Sequence, residues 1–345
     1  MEGISLEIVI PIFLFILGIV IIIKGGDIFV DGAVWVAKVT GIPNIIIGAT
    51  IVSLATTLPE LFVSVIASIE GSPDIAIGNA VGSIICNIGL ILAIYFIFMP
   101  GKVEKKSFKS KAFIMLCSLI LVMFFSIDKI IKPYEGIVLL AVLIYYIYLN
   151  LKEAKESRLV VNEELAVEIE STKKIEVSVK EILKNISMFI IGAIFIVIGA
   201  KLLVNNAQII AKYFNVPESI ISLTVVAIGT SLPELVTAIS SIIKKENGVA
   251  IGNILGANIL NATMILGTCS IISKGGLPVS SGDITVFNNT FFSVPQSLYI
   301  DIPIALILML LLMIPIMKNG KSNKHNGIAL LGVYVIYIIF LATLI

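Results

Sequence analysis

The chain has 345 residues, of which 58% are hydrophobic and only 14% charged, with 24 basic and 23 acidic side chains giving a net charge of +1. Soluble domains are about half apolar and about a quarter charged, so a water-soluble protein is excluded, and near-neutrality implies no bulk attraction to nucleic acid. At about 20 residues per membrane-spanning helix, roughly 200 apolar residues supply on the order of ten spans and leave no room for an appended catalytic domain.

Apolar runs between charged or Gly/Pro breaks predict spans near 6–30, 43–69, 73–99, 110–127, 133–151, 184–211, 217–243, 247–272, 298–317 and 326–344. The first run is flanked by Glu2 and Glu7 rather than a basic segment and has no small-residue cleavage site after it, so it reads as a retained helix and not a signal peptide. Lys102, Lys105, Lys106, Lys109 and Lys111 lie between spans three and four, Lys244 and Lys245 between seven and eight, and Lys318, Lys321 and Lys324 between nine and ten. Those loops share one side with the charged segment 152–183, and by the positive-inside rule that side is the cytoplasm, with both termini outside. The chain thus divides into a five-span half at 1–151, a solvated helical or disordered linker at 152–183 and a second five-span half at 184–345. The stretch 273–297 carries Gly, Pro, Ser and Asn throughout and reads as an external loop whose Val286, Phe287, Phe291 and Phe292 rest on the membrane surface or cover an entrance.

Sliding the chain by 174 residues aligns 38–92 with 212–266 without a gap, with 21 identities in 55 positions. They include Pro59/Pro233, Glu60/Glu234, Gly78/Gly252, Asn79/Asn253, Gly82/Gly256 and Asn87/Asn261. Shared hydrophobicity matches Ile and Leu by chance, but not Pro, Glu, Gly and Asn. Each half has an odd number of spans, so the second copy enters the membrane from the opposite side. The predicted fold is an all-α polytopic membrane protein of ten helices in two inverted repeats, the arrangement of secondary transporters with a site at the repeat interface.

Glu60 and Glu234 lie inside apolar spans, where an ionised carboxylate costs several kcal/mol unless a cation or polar cavity compensates it. Apart from Lys111 and Lys184 at span edges, the basic residues read as lying inside spans, Lys24 and Lys201, are expected near helix ends, away from these acids. Pro59 and Pro233 release the carbonyls four residues back, those around Ala55 and Gly229, and such carbonyls are tolerated at mid-membrane only where they face protein, water or an ion. Ser53, Thr56, Glu60 and Ser64 share one helix face, repeated as Ala227, Thr230, Glu234 and Ala238. The next span adds Asn79, Ser83 and Asn87, and its copy Asn253, Ala257 and Asn261. Asn79 and Asn253 stand beside G-x-x-x-G pairs and suit either ligation or close helix packing; Asn87 and Asn261 are read as ligands. Carboxylate, amide, hydroxyl and carbonyl oxygens without thiolate or imidazole suit Ca²⁺ or Na⁺ rather than zinc or copper. Cys86, Cys117 and Cys269 are too few and scattered for a disulfide framework or metal cluster. No phosphate-binding G-x-x-x-x-G-K-[ST] occurs, so neither ATP nor a cofactor is expected and the drive is an ion gradient.

The paired T-[TS]-L-P-E and G-N-x-x-G-[SA]-x-x-x-N segments resemble the two alpha repeats of the calcium/cation antiporter superfamily, specifically its prokaryotic sodium/calcium exchangers. The resemblance implies exchange of extracellular Na⁺ for intracellular Ca²⁺ across the bilayer, not catalysis. It also implies a core of spans two to five and seven to ten, across which spans one and six slide. By position, Glu60 and Glu234 would be shared Ca²⁺ and Na⁺ ligands. Thr56, Thr230 and the backbone oxygens of Ser53 and Ala227 would complete the ion sites, with Ser83, Asn87 and Asn261 around them. The first motif reads A-T-T-L-P-E from Ala55 to Glu60 where relatives have G-T-S-L-P-E, and Ala257 stands where a serine is expected. Asn261 occupies a position that is often Asp in these relatives, and an amide there, which carries no negative charge, resembles the potassium-independent branch more than the potassium-dependent one. An H⁺-coupled cation exchanger of the same fold and a passive cation channel are the alternatives.

Overall fold

The computed structural model describes residues 6–40, 42–69, 71, 73–168, 178–213, 227–246, 248–279, 282–286 and 289–343. Helix α1 spans Leu6–Thr40. Helix α2 runs over Asn44–Ile69, with a π-helical segment at Gly48–Val52. Helix α3 comprises Pro73–Cys86, a π-segment Asn87–Leu92 and Ala93–Phe98. Helices α4 (Lys105–Phe125), α5 (Pro133–Glu168) and α6 (Val179–Tyr213) follow. Helix α7 is described as Ala227–Thr230 and Leu232–Lys244. Helix α8 comprises Val249–Leu260, a π-segment Asn261–Ile265 and Leu266–Ile272. Helix α9 has a π-segment Ser297–Asp301 continued by Ile302–Asn319, and α10 is Lys324–Thr343.

Among the described residues nine helices are long and apolar enough to cross a membrane. The tenth predicted span, 217–243, is α7, and its first ten residues lie outside the described ones. The ten-helix plan therefore stands, with one correction to the predicted boundaries. Helix α1 continues past the predicted end at residue 30 to Thr40, because Gly25, Gly26 and Gly32 do not break it. They admit a neighbour: a Cβ at Gly25 would lie 2.8 Å from the Cβ of Phe195 on α6. As a consequence Lys24 sits within α1, not near its end, and its side chain is exposed, as is that of Lys201 on α6. Helix α5 carries the charged residues 152–168 as helix beyond its predicted membrane span, one of the two forms expected of the linker. The stretch 273–297 differs from a plain loop as well. It forms strand β2 (Leu277–Pro278), which pairs with β1 (Ile130–Ile131), and a hairpin of β3 (Gly282–Val286) and β4 (Asn289–Val294). Threonine and apolar residues in both strands suit that pairing. Phe287, and the side chains of Val286, Phe291 and Phe292, lie outside the described parts.

Two apolar clusters hold the helices. The larger draws on α2–α5 and α7–α10, including Ile84, Ile88, Met115, Leu139, Ile254, Leu308 and Tyr334. The smaller joins Phe29, Val30 and Ala33 of α1 to Ile196 of α6 and rests on Ile47, Val52 and Val249 of the main bundle. Helices α1 and α6 cross closely, with Phe29 stacked on Phe189 at a ring separation of 4.5 Å. At one end of the bundle the α3–α4 and α9–α10 loops meet through a bridge between Lys102 and Lys321 and a bond from Val103 N–H to Gly320 C=O of 3.0 Å. The β1–β2 pair ties the α4–α5 and α8–α9 loops at the other end.

Candidate functional site

The site is built by four helices, two from each repeat. On α2, Ser53, Thr56, Thr57, Glu60 and Ser64 are all buried, as the three-and-four spacing requires. Pro59 lies inside that helix without breaking it. In the second repeat the same motif is interrupted: Ser231 takes a turn geometry (φ −85°, ψ 7°), the helix restarts at Leu232, and Glu234 falls in its first turn. A carboxylate there faces the positive end of the helix dipole, whereas Glu60 sits mid-helix. One motif thus has two backbone realisations.

Glu60 and Glu234 are both fully inaccessible to solvent. Neither carboxylate makes a hydrogen bond within the described protein, yet the two are close enough to repel each other. The hydroxyls of Thr56 and Thr57 face Glu234 without a bond of ordinary geometry to it. The hydroxyls of Thr57, Ser83 and Ser231, the carbonyl oxygen of Asn87 and both amide atoms of Asn261 are buried and also make no hydrogen bond among the described residues. Native interiors leave few such groups, and a bare buried carboxylate costs several kcal/mol. No lysine or arginine answers them among the described ion pairs: buried Lys111 pairs with Glu153 at 2.7 Å, and Lys244 with Asp31 at 2.7 Å. The unmatched atoms are almost all oxygens. Such a set accommodates a hard cation, with six to eight oxygens for Ca²⁺.

Around these atoms runs a bonded frame that obeys the repeat. Thr56 donates to the Asn253 side-chain oxygen at 3.0 Å, and Thr230 donates to that of Asn79 at 3.0 Å. Each threonine is thereby tied to the asparagine of the opposite repeat. The amide of Asn253 then donates to Thr237 at 2.8 Å, and that of Asn79 to Ser64 at 2.9 Å and the Glu60 carbonyl at 3.2 Å. Of the two roles open to Asn79 and Asn253, the geometry selects helix cross-linking. It depends on close approach, since a Cβ at Gly252 would lie 2.1 Å from the Ile45 carbonyl oxygen. The π-segments of α3 and α8 begin at repeat-equivalent residues, Asn87 and Asn261; π-segments disturb the regular backbone bonding and recur at functional sites.

Every predicted site side chain on α2, α3 and α8 (Ser53, Thr56, Glu60, Ser83, Asn87 and Asn261) is buried in this region, as are Thr230 and Glu234 on α7. The Ser53 carbonyl accepts from Thr56 at 3.3 Å. Ala227 opens the described part of α7, with its side chain outside the described residues. Sequence reasoning missed Asn258, which accepts from the Asn87 amide at 3.0 Å and keeps its own amide nitrogen unbonded among the described residues. Its repeat counterpart is Ile84, so comparison of the halves carried no signal for it.

A helical bundle of inverted repeats, with two carboxylates unpaired among the described residues and an oxygen-rich lining at their interface, defines a membrane cation transporter of the secondary type. The comparisons agree with that class. The chain matches the sodium/calcium exchanger protein family over residues 10–152 and 184–343, and it belongs to that family. It is 31% identical over 326 residues to the uncharacterized membrane protein MJ0091 of Methanocaldococcus jannaschii, covering 94% of this chain and 95% of that one. It is 29% identical over 357 residues to the sodium/calcium exchanger MaX1 of Methanosarcina acetivorans, covering 94% and 97%. Among solved structures, the sodium-calcium exchanger NCX_Mj soaked with Na⁺ and Sr²⁺ superposes with a TM-score of 0.79 at 30% identity, covering 96% of this chain and 98% of that one.

Proposed function

We propose that the protein is a Na⁺/Ca²⁺ antiporter working by alternating access, with Glu60 and Glu234 as the shared ligands of both ions. The observation that carries this reading is the burial of the two carboxylates, neither of which has a hydrogen-bond partner among the described residues. One Ca²⁺ neutralises both, and so do Na⁺ ions, so the two cations compete for one set of oxygens. Thr56, Thr230, Ser83, Asn87, Asn261 and the backbone oxygens of Ser53 and Ala227 complete the ligand set; Asn258 orients Asn87. Exchange follows from the cost of the empty site. Switching conformation with two bare carboxylates buried is penalised by several kcal/mol per ion, so the carrier moves when loaded and each transit one way requires a cation for the return.

Helices α1 and α6 form the moving pair in this reading, since they pack on each other and rest on the main bundle through a separate, small apolar cluster. The end bearing Lys102, Lys244 and Lys321 faces the cytoplasm, with the 152–183 linker on that side and both termini outside. The five-helix halves 1–151 and 184–345 are the units that exchange roles between the two faces. The substrates are Ca²⁺ and Na⁺, in a lipid bilayer, with no resident cofactor in the scheme.

Competition for one site is testable at equilibrium. Binding of radioactive Ca²⁺ to purified protein is expected to weaken with added Na⁺ and to be unaffected by equal K⁺. It is expected to vanish in Glu60→Gln and in Glu234→Gln. Wild-type Ca²⁺ affinity in either variant overturns the assignment of the site.

A further inference from the structure

Helix α2 reaches the site through the π-segment Gly48–Val52, which ends immediately before Ser53. In an α-helix the N–H of Ser53 would bond the carbonyl of Ala49, four residues back. Here that N–H reaches the carbonyls of Gly48 and Thr50 and passes over Ala49. The nearby hydroxyls do not make up the loss, since Thr50 donates to the Ile46 carbonyl at 2.7 Å and Ser53 to the Thr50 carbonyl at 3.1 Å. Ala49 is fully buried, and a buried backbone carbonyl inside a membrane requires a donor.

That donor comes from another helix. The hydroxyl of Tyr146, on α5, donates to the Ala49 carbonyl. Tyr146 is itself buried, and the amide of Asn150, one turn on, donates to its backbone carbonyl at 2.9 Å. Helix α8 packs on the same segment too closely to supply a side-chain donor: a Cβ at Gly256 would lie 2.8 Å from the Ala49 oxygen, and one at Gly48 would lie 2.3 Å from the Val249 oxygen. The shift of 174 takes Tyr146 to Gly320, past the end of α9, so the second repeat does not duplicate this side chain.

We propose that Tyr146 is a positioning residue for the ion site: by holding the Ala49 carbonyl it stabilises the π-segment, and the π-segment sets the placement of Ser53, Thr56 and Glu60. The inference rests on the ion-site reading above. The physical link is helical phase. A π-turn takes up one residue more than an α-turn, and one residue corresponds to about 100° of rotation about the helix axis. With α2 wedged against α8 at Gly48, relaxation of the segment to α-helix would turn the Ser53 carbonyl and the Glu60 carboxylate away from their neighbours on α3, α7 and α8. Tyr146 touches no ion in this scheme and acts through the backbone of α2.

The test pairs a spectroscopic signature of the contact with Ca²⁺ affinity. Tyr146→Phe removes only the hydroxyl. Labelling with ¹³C-carbonyl alanine and ¹⁵N-threonine selects the Ala–Thr peptide bonds, at 49–50, 55–56, 262–263 and 342–343. In solid-state NMR of the protein in lipid, the Ala49 signal, assigned by its loss in Thr50→Ser, is expected to move in Tyr146→Phe while those of Ala262 and Ala342 stay. Binding of radioactive Ca²⁺ is expected to weaken at least five-fold in Tyr146→Phe and to be unchanged in Tyr148→Phe, which removes an exposed hydroxyl of the same helix. Deleting Ile51, an exposed residue of the segment, removes the extra residue and brings the N–H of Leu54 into α-helical register with Ala49. In the Tyr146→Phe background this deletion is expected to restore affinity to within two-fold of wild type. An unmoved Ala49 signal, or a loss of affinity smaller than five-fold, overturns the positioning role, as does a folded deletion variant that stays as weak as Tyr146→Phe alone. If the deletion variant does not fold, the signal and the affinity of Tyr146→Phe decide. A wild type that binds no Ca²⁺ overturns the ion-site reading itself, a failure distinct from that of the contact, because the Ala49 signal needs no ion.

Discussion

Replacing Gly252 with alanine probes the frame on which the site depends. The added Cβ would lie 2.1 Å from the Ile45 carbonyl oxygen and 2.9 Å from both the Ala49 nitrogen and the Ile45 carbonyl carbon. All three are backbone atoms, so no side-chain rotation relieves the clash, and α8 must withdraw from α2 by about 1 Å in a close-packed interior. That displacement stretches the bond from Thr56 to Asn253, now 3.0 Å, beyond hydrogen-bonding range. Overpacking costs about 1–3 kcal/mol, and a buried polar group left without its partner about 1–3 kcal/mol. The sum is a loss of about 2–6 kcal/mol, read by reversible unfolding in mixed detergent micelles, together with reduced Ca²⁺ flux because Thr56 lines the site. Gly332→Ala is the control: a Cβ there meets nothing within 4 Å, and a helical glycine exchanged for alanine gains up to about 1 kcal/mol. Equal stability of Gly252→Ala and wild type would show that the two repeats are not in the close contact described.

Three further outcomes are expected. In double-mutant cycles, Thr56 with Asn253 and Thr230 with Asn79 should each couple by about 0.5–1.5 kcal/mol; coupling near zero in both cycles contradicts the cross-repeat bonds. Saturating Ca²⁺, at about 100 times its dissociation constant, should stabilise the wild type by about 2.7 kcal/mol and leave Glu60→Gln unaffected, as a melting curve with and without the ion will report. Outside the membrane spans, burial and then the neighbouring Glu153 hold the Glu104 carboxyl above its ordinary pKa. The folded state therefore keeps that proton more tightly than the unfolded one. The associated stability is present below the ordinary glutamate range and is lost as pH rises through the raised value. Glu104→Gln should remove this pH dependence and melt higher than wild type at neutral pH; a steeper dependence in the variant contradicts the sign.

Much of the centre of the molecule is legible in the sequence because the bilayer penalises what does not belong there. Glu60 and Glu234 stand out as carboxylates among apolar residues, and their repetition at one offset exposes the inverted halves without any coordinates. Local punctuation is less dependable. Asp31 and Gly32 follow the predicted end of the first span, yet in a membrane small residues mark where another helix comes close, and α1 runs on to Thr40. The break in α7 at Ser231 is not foreseeable either, since α2 carries a nearly identical motif through its proline without interruption. Bonds between repeats are silent in a linear reading: that Thr56 reaches Asn253 and Thr230 reaches Asn79 depends on how the halves interlock. Asn258 escaped notice because its counterpart is an isoleucine.

The most direct test of the account is Ca²⁺ uptake by purified protein in proteoliposomes, with outward gradients of Na⁺, K⁺ and H⁺ imposed one at a time. The account predicts uptake that requires the Na⁺ gradient, is indifferent to the K⁺ and pH gradients, and is absent in Glu60→Gln and Glu234→Gln. Uptake driven by the pH gradient without Na⁺, or flux that needs no counter-ion, would contradict it.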